Sequence, residues 1–520
     1  MKGIFIKNVK KIDSVVIKDC LLSLEEFIAI TKYKAKVVFS EEFKQNVIKS
    51  RQIIERFLDE ERLIYGVTTG FGENVRYTIS SKDAIQLQKN IARSHACAVG
   101  EPLNEEQVRS ILLMMILNTG KGHSGIKLDT LELIKDFLNN NIIPFAPGEG
   151  SVGYLGVEAH IALTLMGEGY ILENNLKIPT IEILKRYNLK PVEFGCKEGL
   201  SLTNGSMTVT ALALIALYEM IVTMKNIEIT GALVYEALRG TIKALDLRIH
   251  KAKKHEEQLT SAKNILMMLE NSEISEKYKD HKVQDAYVLR AMPQINGATK
   301  KLIKEAYEVI LNEMHSSSDN PELFSEEGIE DALMCGNFDG SYVGSHADML
   351  CLAASIIGNL VERCTDRMVN RNLNDGLPAF LVTKPGLNSG FMIPQYTSAG
   401  LLGEIKVLSQ PSTIDSISTC ANQEDPVSMA YFASKKAISV ANKLQYMVAI
   451  EIMVSLQAID LIKPLRQSPV LEKVHDFIRK EVPMLDEDRY IYPDIEYILE
   501  QIRELTIVDI VESEIGELEF

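Results

Sequence analysis

The sequence predicts a mainly α protein, a bundle of very long helices carrying a smaller, loop-rich N-terminal region. Three observations predict it. Stretches at about 206–250, 345–372 and 425–462 are apolar on nearly every face, the signature of helices buried inside a bundle. Between about residues 66 and 205, glycine-rich loops alternate with shorter helical runs. Strand-like alternation is confined to 3–6, 14–18 and 35–39.

Taken in order, the run EEFKQNVIKSRQIIERFLDEERLIYG follows Ser40, a suitable N-cap with acids in the first turn, and is expected to end near Tyr65 and Gly66. Further helices are predicted near 104–117 and 129–139, ahead of the loop PFAPGEGSVGYLG. The longest apolar stretch, at 208–224, is interrupted by Glu219 and falls short of the ~20 residues that cross a bilayer, so it reads as a core helix. From about 468 the chain is charged and amphipathic and is expected on the outside. The division is therefore 1–205, a loop-rich region bearing the site chemistry; 206–467, the long helices; and 468–520, peripheral helices. So much apolar helix surface exceeds what one four-helix bundle needs, which points to packing between subunits.

Hydrophobic residues at 46% and charged residues at 24% exclude a disordered chain. A net charge of −15 repels phosphate backbones and acidic lipid, so neither nucleic acid nor membrane is an expected partner. Seven scattered cysteines without a C-x-x-C pair read as reduced, mostly buried thiols. The N-terminal residues lack the continuous apolar core of a signal peptide, which sets a cytoplasmic expectation.

Generic motifs carry little. Gly148-Glu149-Gly150-Ser151-Val152-Gly153 matches G-x-G-x-x-G, but follows PFAP instead of a strand and places a carboxylate where pyrophosphate would approach. His250 and His255 stand five apart, off a common helical face, so no metal site is expected and both read as solvated. Asp319-Asn320-Pro321 reads on local physics as a side-chain-stabilised turn.

A set of segments in fixed order is far more specific: Tyr65-Gly66-Val67-Thr68-Thr69-Gly70-Phe71-Gly72, Ser94-His95-Ala96, Thr203-Asn204-Gly205, Gln284-Asp285 with Tyr287 and Leu289-Arg290, Gly336-Asn337-Phe338, Gly386-Leu387-Asn388-Ser389-Gly390-Phe391 and Asn422-Gln423-Glu424-Asp425. Taken together they resemble the histidine and aromatic amino-acid ammonia-lyase family over about residues 50–430. The resemblance implies a homotetramer whose sites take loops from more than one subunit, and an elimination in which a base removes a β-proton from an α-amino acid and the nitrogen departs. It implies Tyr65 as the base, Arg290 as the carboxylate clamp, Asn204, Gln284 and Tyr287 as substrate-positioning groups, His95 facing the side-chain ring, Phe338 lining the pocket and Glu424 near the leaving nitrogen or ring. Arginine suits a bidentate clamp, and a phenol becomes a base where positive charge lowers its pKa. Taken singly, Tyr65-Gly66 also reads as a helix C-cap, His95 as a core histidine and Arg290 as a structural ion pair.

One segment breaks the pattern. The family cyclises an Ala-Ser-Gly triplet, in the setting G-S-V-G-A-S-G-D, into a methylidene-imidazolone electrophile. Here Gly150-Ser151-Val152-Gly153 is followed by Tyr154-Leu155-Gly156-Val157. Leucine has no hydroxyl to lose, so no such prosthetic group and no other cofactor is expected. The electrophile exists to capture an amine lone pair. A quaternary ammonium has none and leaves as a neutral amine, and its methyls favour aromatic faces such as Tyr154, with Leu155 packing beside it. With His95 indicating an imidazole-like ring, the expected reaction is loss of trimethylamine from ergothioneine to leave thiourocanate, as in the ergothionase branch of the family. Lys384, in LVTKPGLNSGF, reads either as a cation that stabilises charge on the ring or as a solvated loop lysine. The rivals are a catalytically silent relative that binds a small amino acid or serves in assembly, and a lyase for another amino acid or betaine such as histidine.

Overall fold

The structure, a computed structural model, describes residues 9–520; the strand predicted at 3–6 lies outside them. β1 (Ser14–Ile17) and β2 (Lys36–Phe39) pair in parallel, each burying alternate residues. α1 (Leu24–Thr31) crosses between them from a capping box in which Ser23 and Glu26 each accept the other's backbone N–H. α2 (Glu41–Asp59) starts at Ser40 as predicted but stops well short of Tyr65. Glu61 adopts φ +53 and the N–H of Arg62 closes onto the Phe57 carbonyl, which frees the next residues to form a loop.

α3 (Ser81–His95), α4 (Glu105–Thr119) and α5 (Leu128–Asn140) follow, α4 with a second capping box between Asn104 and Gln107. Two small antiparallel pairs, β3 (Val99–Pro102) with β4 (Pro147–Glu149) and β5 (Tyr170–Glu173) with β6 (Leu176–Pro179), flank α6 (Gly156–Leu165). Their strands are too short and irregular to leave a period-two signal. α7 (Thr180–Arg186) and α8 (Glu198–Thr203) lead into α9 (Met207–Ala237), in which every residue is buried.

The single helix expected over 206–250 is in fact broken. α9 closes where Gly240 N–H meets the Tyr235 carbonyl and Arg239 takes φ +51; a 3-10 turn and α10 (Leu247–Lys253) complete the stretch. By length and composition α9 could cross a membrane, against the expectation from 208–224 alone, yet it is wholly enclosed by the protein. His250 corrects another reading: it is fully buried, with Nε2 3.0 Å from the Ala244 carbonyl and Nδ1 2.8 Å from the Gln258 amide.

α11 (Glu256–Met268), α12 (Glu273–Tyr278), α13 (Tyr287–Arg290) and α14 (Met292–Met314) lead to the hairpin of β7 (Glu322–Glu326) and β8 (Ile329–Leu333). α15 (Ser341–Val369), α16 (Met392–Leu408) and α17 (Ala430–Asp460) complete the bundle, with α17 running along both α9 and α15. α18 (Pro469–Arg479), α19 (Tyr492–Arg503) and α20 (Thr506–Ile515) pack outside it, but the tail turns inward and buries Leu518 and Phe520. A large apolar core draws on residues from Val9 to Phe520, and a second, small cluster forms around Ile54, Phe57 and Val67. The architecture is mainly helical, as predicted. All seven cysteines are free; four are buried, while Cys97 and Cys420 are exposed.

Candidate active site

A cavity of about 500 Å³ opens where the loop after α2, the end of α3, the turn before α6, the end of α8 and the 419–424 loop converge. The first of these is fixed by its threonines. Thr68 Oγ1 accepts the Ile64 N–H and donates to the Arg62 carbonyl, both at 2.8 Å, while Thr69 Oγ1 accepts the Gly66 N–H at 3.1 Å. Gly66 has φ +65, and a Cβ there would lie 2.6 Å from Leu200, so only glycine fits. Tyr65 is thereby presented to the cavity, its hydroxyl accepting the Gly72 N–H at 2.9 Å.

The turn at Tyr154–Leu155–Gly156 is the most unusual backbone here. Leu155 has φ 76, ψ −58, and Gly156 N–H reaches back to the Tyr154 carbonyl at 3.1 Å, a classic γ-turn of the rare and strained kind. Such geometry costs a non-glycine residue about 1–3 kcal/mol. It is held because Leu155 N–H donates to the Thr203 carbonyl at 3.0 Å and α6 starts directly after it. Ser151 belongs to the preceding turn, its Oγ accepting the Gly153 N–H at 3.2 Å. The family's self-made heterocycle does not fit these residues, since Leu155 offers no hydroxyl to eliminate.

Tyr154 and Glu424 meet across the cavity at 3.1 Å, and Thr419 Oγ1 lies 3.2 Å from the same carboxylate oxygen. The Phe338 ring stands edge-on to Tyr154, with centroids 5.2 Å apart. Glu424 is carried by a loop in which Cys420, Ala421 and Asn422 all have positive φ, closed by Thr419 N–H onto the Glu424 carbonyl. Among the described residues lining the cavity, Glu424 is the one carboxylate and none is lysine or arginine. Burial raises the Tyr65 phenol above its ordinary pKa, the Gly72 N–H opposes this, and Glu424 and Cys420 add to the rise. Tyr154 is raised more strongly, by burial and then by Glu424. Burial lowers His95, against a backbone contact with Ile91 and the field of Glu424, so the ring is held neutral at pH 7.

Of the predicted site residues, Tyr65, His95, Tyr154, Leu155, Asn204, Phe338 and Glu424 line this one cavity. The other four do not join it within a single chain. Gln284, Tyr287 and Arg290 are exposed, with the Arg290 guanidinium 5.1 Å from the Tyr287 ring centroid. Lys384 is exposed at the head of a turn and pairs with Glu487 at 3.6 Å. The structure also adds Asn320, which corrects the reading of Asp319-Asn320-Pro321 as only a turn, together with Asn74, Asn90 and Cys420. A larger hollow of about 920 Å³ beside α11 and α12 gathers none of the predicted residues. No group of three or more His, Cys, Asp or Glu able to hold a metal occurs among the described residues.

The fold is that of carbon–nitrogen lyases built on long helices. The chain belongs to the aromatic amino acid lyase family, whose profile it matches over residues 22–480. The histidine ammonia-lyase of Alkaliphilus oremlandii is 40% identical over 477 residues, which cover 91% of this chain and 94% of that protein. Histidine ammonia-lyase from Trypanosoma cruzi superposes with a TM-score of 0.89 at 33% identity, over 97% of this chain and 98% of that one. Ergothionase from Treponema denticola, an ergothioneine-degrading enzyme solved with desmethyl-ergothioneine sulfonic acid, superposes with a TM-score of 0.87 at 25% identity, over 96% of this chain and all of that one.

Proposed function

We propose that the chain eliminates an amine able to leave unaided, and that its substrate is an amino-acid betaine, ergothioneine being the best match, with trimethylamine and thiourocanate as products. The observation that carries this reading is the Tyr154–Leu155–Gly156 turn, where the residues that would build an electrophile are replaced by an aromatic and an aliphatic side chain. The cavity supports it. A single carboxylate, no lysine or arginine, and the rings of Tyr65, Tyr154 and Phe338 form an environment that attracts a trimethylammonium group. The neutral imidazole of His95 and the amides of Asn74 and Asn90 suit a polar heterocycle at the other end.

In this reaction Tyr65, as the phenolate, takes the β-proton and becomes the phenol, the Cα–N bond breaks as the Cα=Cβ bond forms, and nitrogen keeps the bonding pair as it leaves as neutral trimethylamine. Within the chain alone Tyr65 is pushed the wrong way for a base. The arriving ammonium supplies the positive charge that opposes burial and Glu424. A homotetramer would bring the exposed Arg290, Tyr287, Gln284 and Lys384 of other copies to the cavity mouth, where Arg290 would hold the carboxylate and Lys384 would meet ring charge. No prosthetic group or metal is needed, and the cytoplasm suits a chain of reduced thiols.

High identity to histidine ammonia-lyases favours a second reading, elimination of ammonia from histidine itself. Incubating the purified protein separately with ergothioneine, histidine and tyrosine, and following trimethylamine, ammonia and conjugated-acid absorbance, decides between them. Trimethylamine from ergothioneine alone is expected. Brisk deamination of histidine would overturn the betaine reading, and no turnover at all would leave a silent binding protein.

A further inference from the structure

Behind the cavity wall lies a buried constellation that the elimination itself does not use. Lys197, Ser201 and Asp319 are each 0% exposed. Lys197 Nζ donates to Asp319 Oδ2 at 2.5 Å and to Ser201 Oγ at 2.9 Å, and Ser201 Oγ donates to the same carboxylate oxygen at 2.9 Å. The other oxygen, Oδ1, accepts the backbone N–H of Asn320 at 2.7 Å. Asn320 lines the cavity, and its own Oδ1 is occupied by the Cys335 N–H at 2.8 Å. Contacts therefore run unbroken from the head of α8 to the cavity.

Stability alone does not account for this arrangement. Two ions removed from water hold a fold together little better than an apolar pair of the same volume. Lys197 in addition sits at φ 72, ψ −20 as the first cap of α8, a left-handed conformation unfavourable for any residue with a Cβ. What the pair does is join two segments that both reach the cavity. α8 carries Leu200 and ends at Asn204, and the opposite loop carries Asn320. A second tie joins the same two segments, where Ser318, next to Asp319, accepts the N–H of Ser206, just past the end of α8, on its Oγ and is itself held by Asn118.

We propose that Asp319, neutralised by Lys197, is a positioning residue of the active site that fixes the Asn320 backbone so that the Asn320 side chain faces the cavity. The proposal rests on where the cavity lies and not on which amine leaves.

Two double variants of the full chain separate this from a plain structural strut. Lys197→Met/Asp319→Asn keeps an acceptor for the Asn320 N–H, whereas Lys197→Met/Asp319→Leu removes it; neither leaves a lone charge. Both are expected to melt close to the parent. The leucine variant is expected to lose about tenfold or more in kcat/KM on the substrate turned over, chiefly in kcat, and the asparagine variant to recover most of that loss. Amide hydrogen exchange over 315–336 should quicken in the leucine variant only, a readout that stands even if ergothioneine proves not to be the substrate. Equal activity and equal exchange in the two variants at equal Tm would overturn the proposal. If the leucine variant does not fold, Asn320→Ala must reproduce the kcat loss at the parent's Tm, and unchanged turnover there would overturn it equally.

Discussion

Tyr154 donates its hydroxyl to Glu424 at 3.1 Å, joining the turn before α6 to a loop 270 residues further along the chain. This bond stands where the family's electrophile would be made, and it turns a phenol and a carboxylate toward one another beside the Phe338 ring. Removing the ring costs the aromatic face, whereas removing the hydroxyl costs only the bond. Tyr154→Leu should therefore raise KM for ergothioneine by about 2- to 30-fold, the range that ~0.5–2 kcal/mol of cation–π attraction allows. Tyr154→Phe should leave KM nearly unchanged. Equal KM values for the two variants would separate Tyr154 from the ammonium.

Leu155 has nothing to dehydrate, so the purified chain should weigh what its unmodified sequence predicts. Intact-mass spectrometry and peptide mapping over 147–165 read this directly. Loss of water confined to residues 154–156 would contradict it.

Tyr65→Phe keeps the ring against Phe71 and loses only the oxygen. Turnover should fall by about 10²- to 10⁴-fold, the usual contribution of a positioned general base, while gel-filtration behaviour and Tm stay as in the parent. Retained turnover would remove Tyr65 as the base.

Stability should decline as pH rises from about 5 to about 8. Burial pushes the carboxyls of Glu106, Glu158 and Glu236 up to about 7 each, from an ordinary value near 4.5. Between those values the folded chain holds protons that the unfolded chain releases, so the slope of unfolding free energy against pH is negative there. Asp460, depressed by His475, Lys463 and Arg479 against its own burial, works oppositely, but its contribution is already complete above its ordinary value near 3.8. Thermal melts at pH 5.5 and 8 should show the lower Tm at the higher pH, and Glu158→Gln should flatten the difference. His95, His160 and His250, lowered by burial, oppose this trend below about 6.5, so the deciding comparison is the variant: a pH difference unchanged in Glu158→Gln would show this acid to be ionised in the fold.

What was legible in the sequence followed from strong local signals. Ser40 and Asn104 cap α2 and α4 where polar side chains precede apolar periodicity, and the all-round apolar character of α9 and α17 foretold their burial. Tyr65, His95, Asn204 and Glu424 were found through motif order, and the fold does gather them. What escaped depended on distant contacts. Gly240 alone hints at where α9 stops; the closure itself depends on Arg239 taking positive φ and on the Gly240 N–H reaching the Tyr235 carbonyl. Asn320 looked like turn chemistry because Lys197, which pairs with the neighbouring Asp319, lies far off in the chain. The exposed positions of Arg290 and Lys384 follow from the surfaces of α13 and the 384–388 turn, which helical periodicity does not describe.

The reversal at Leu155 has a consequence for how such proteins are recognised. Main-chain shape there is set by the hydrogen bonds of Gly156 and Thr203, while the chemistry available is set by two side chains that the shape does not register. Superposition therefore places this chain beside histidine ammonia-lyase and ergothionase alike, and it is the side chains at positions 154 and 155 that the backbone trace leaves unread.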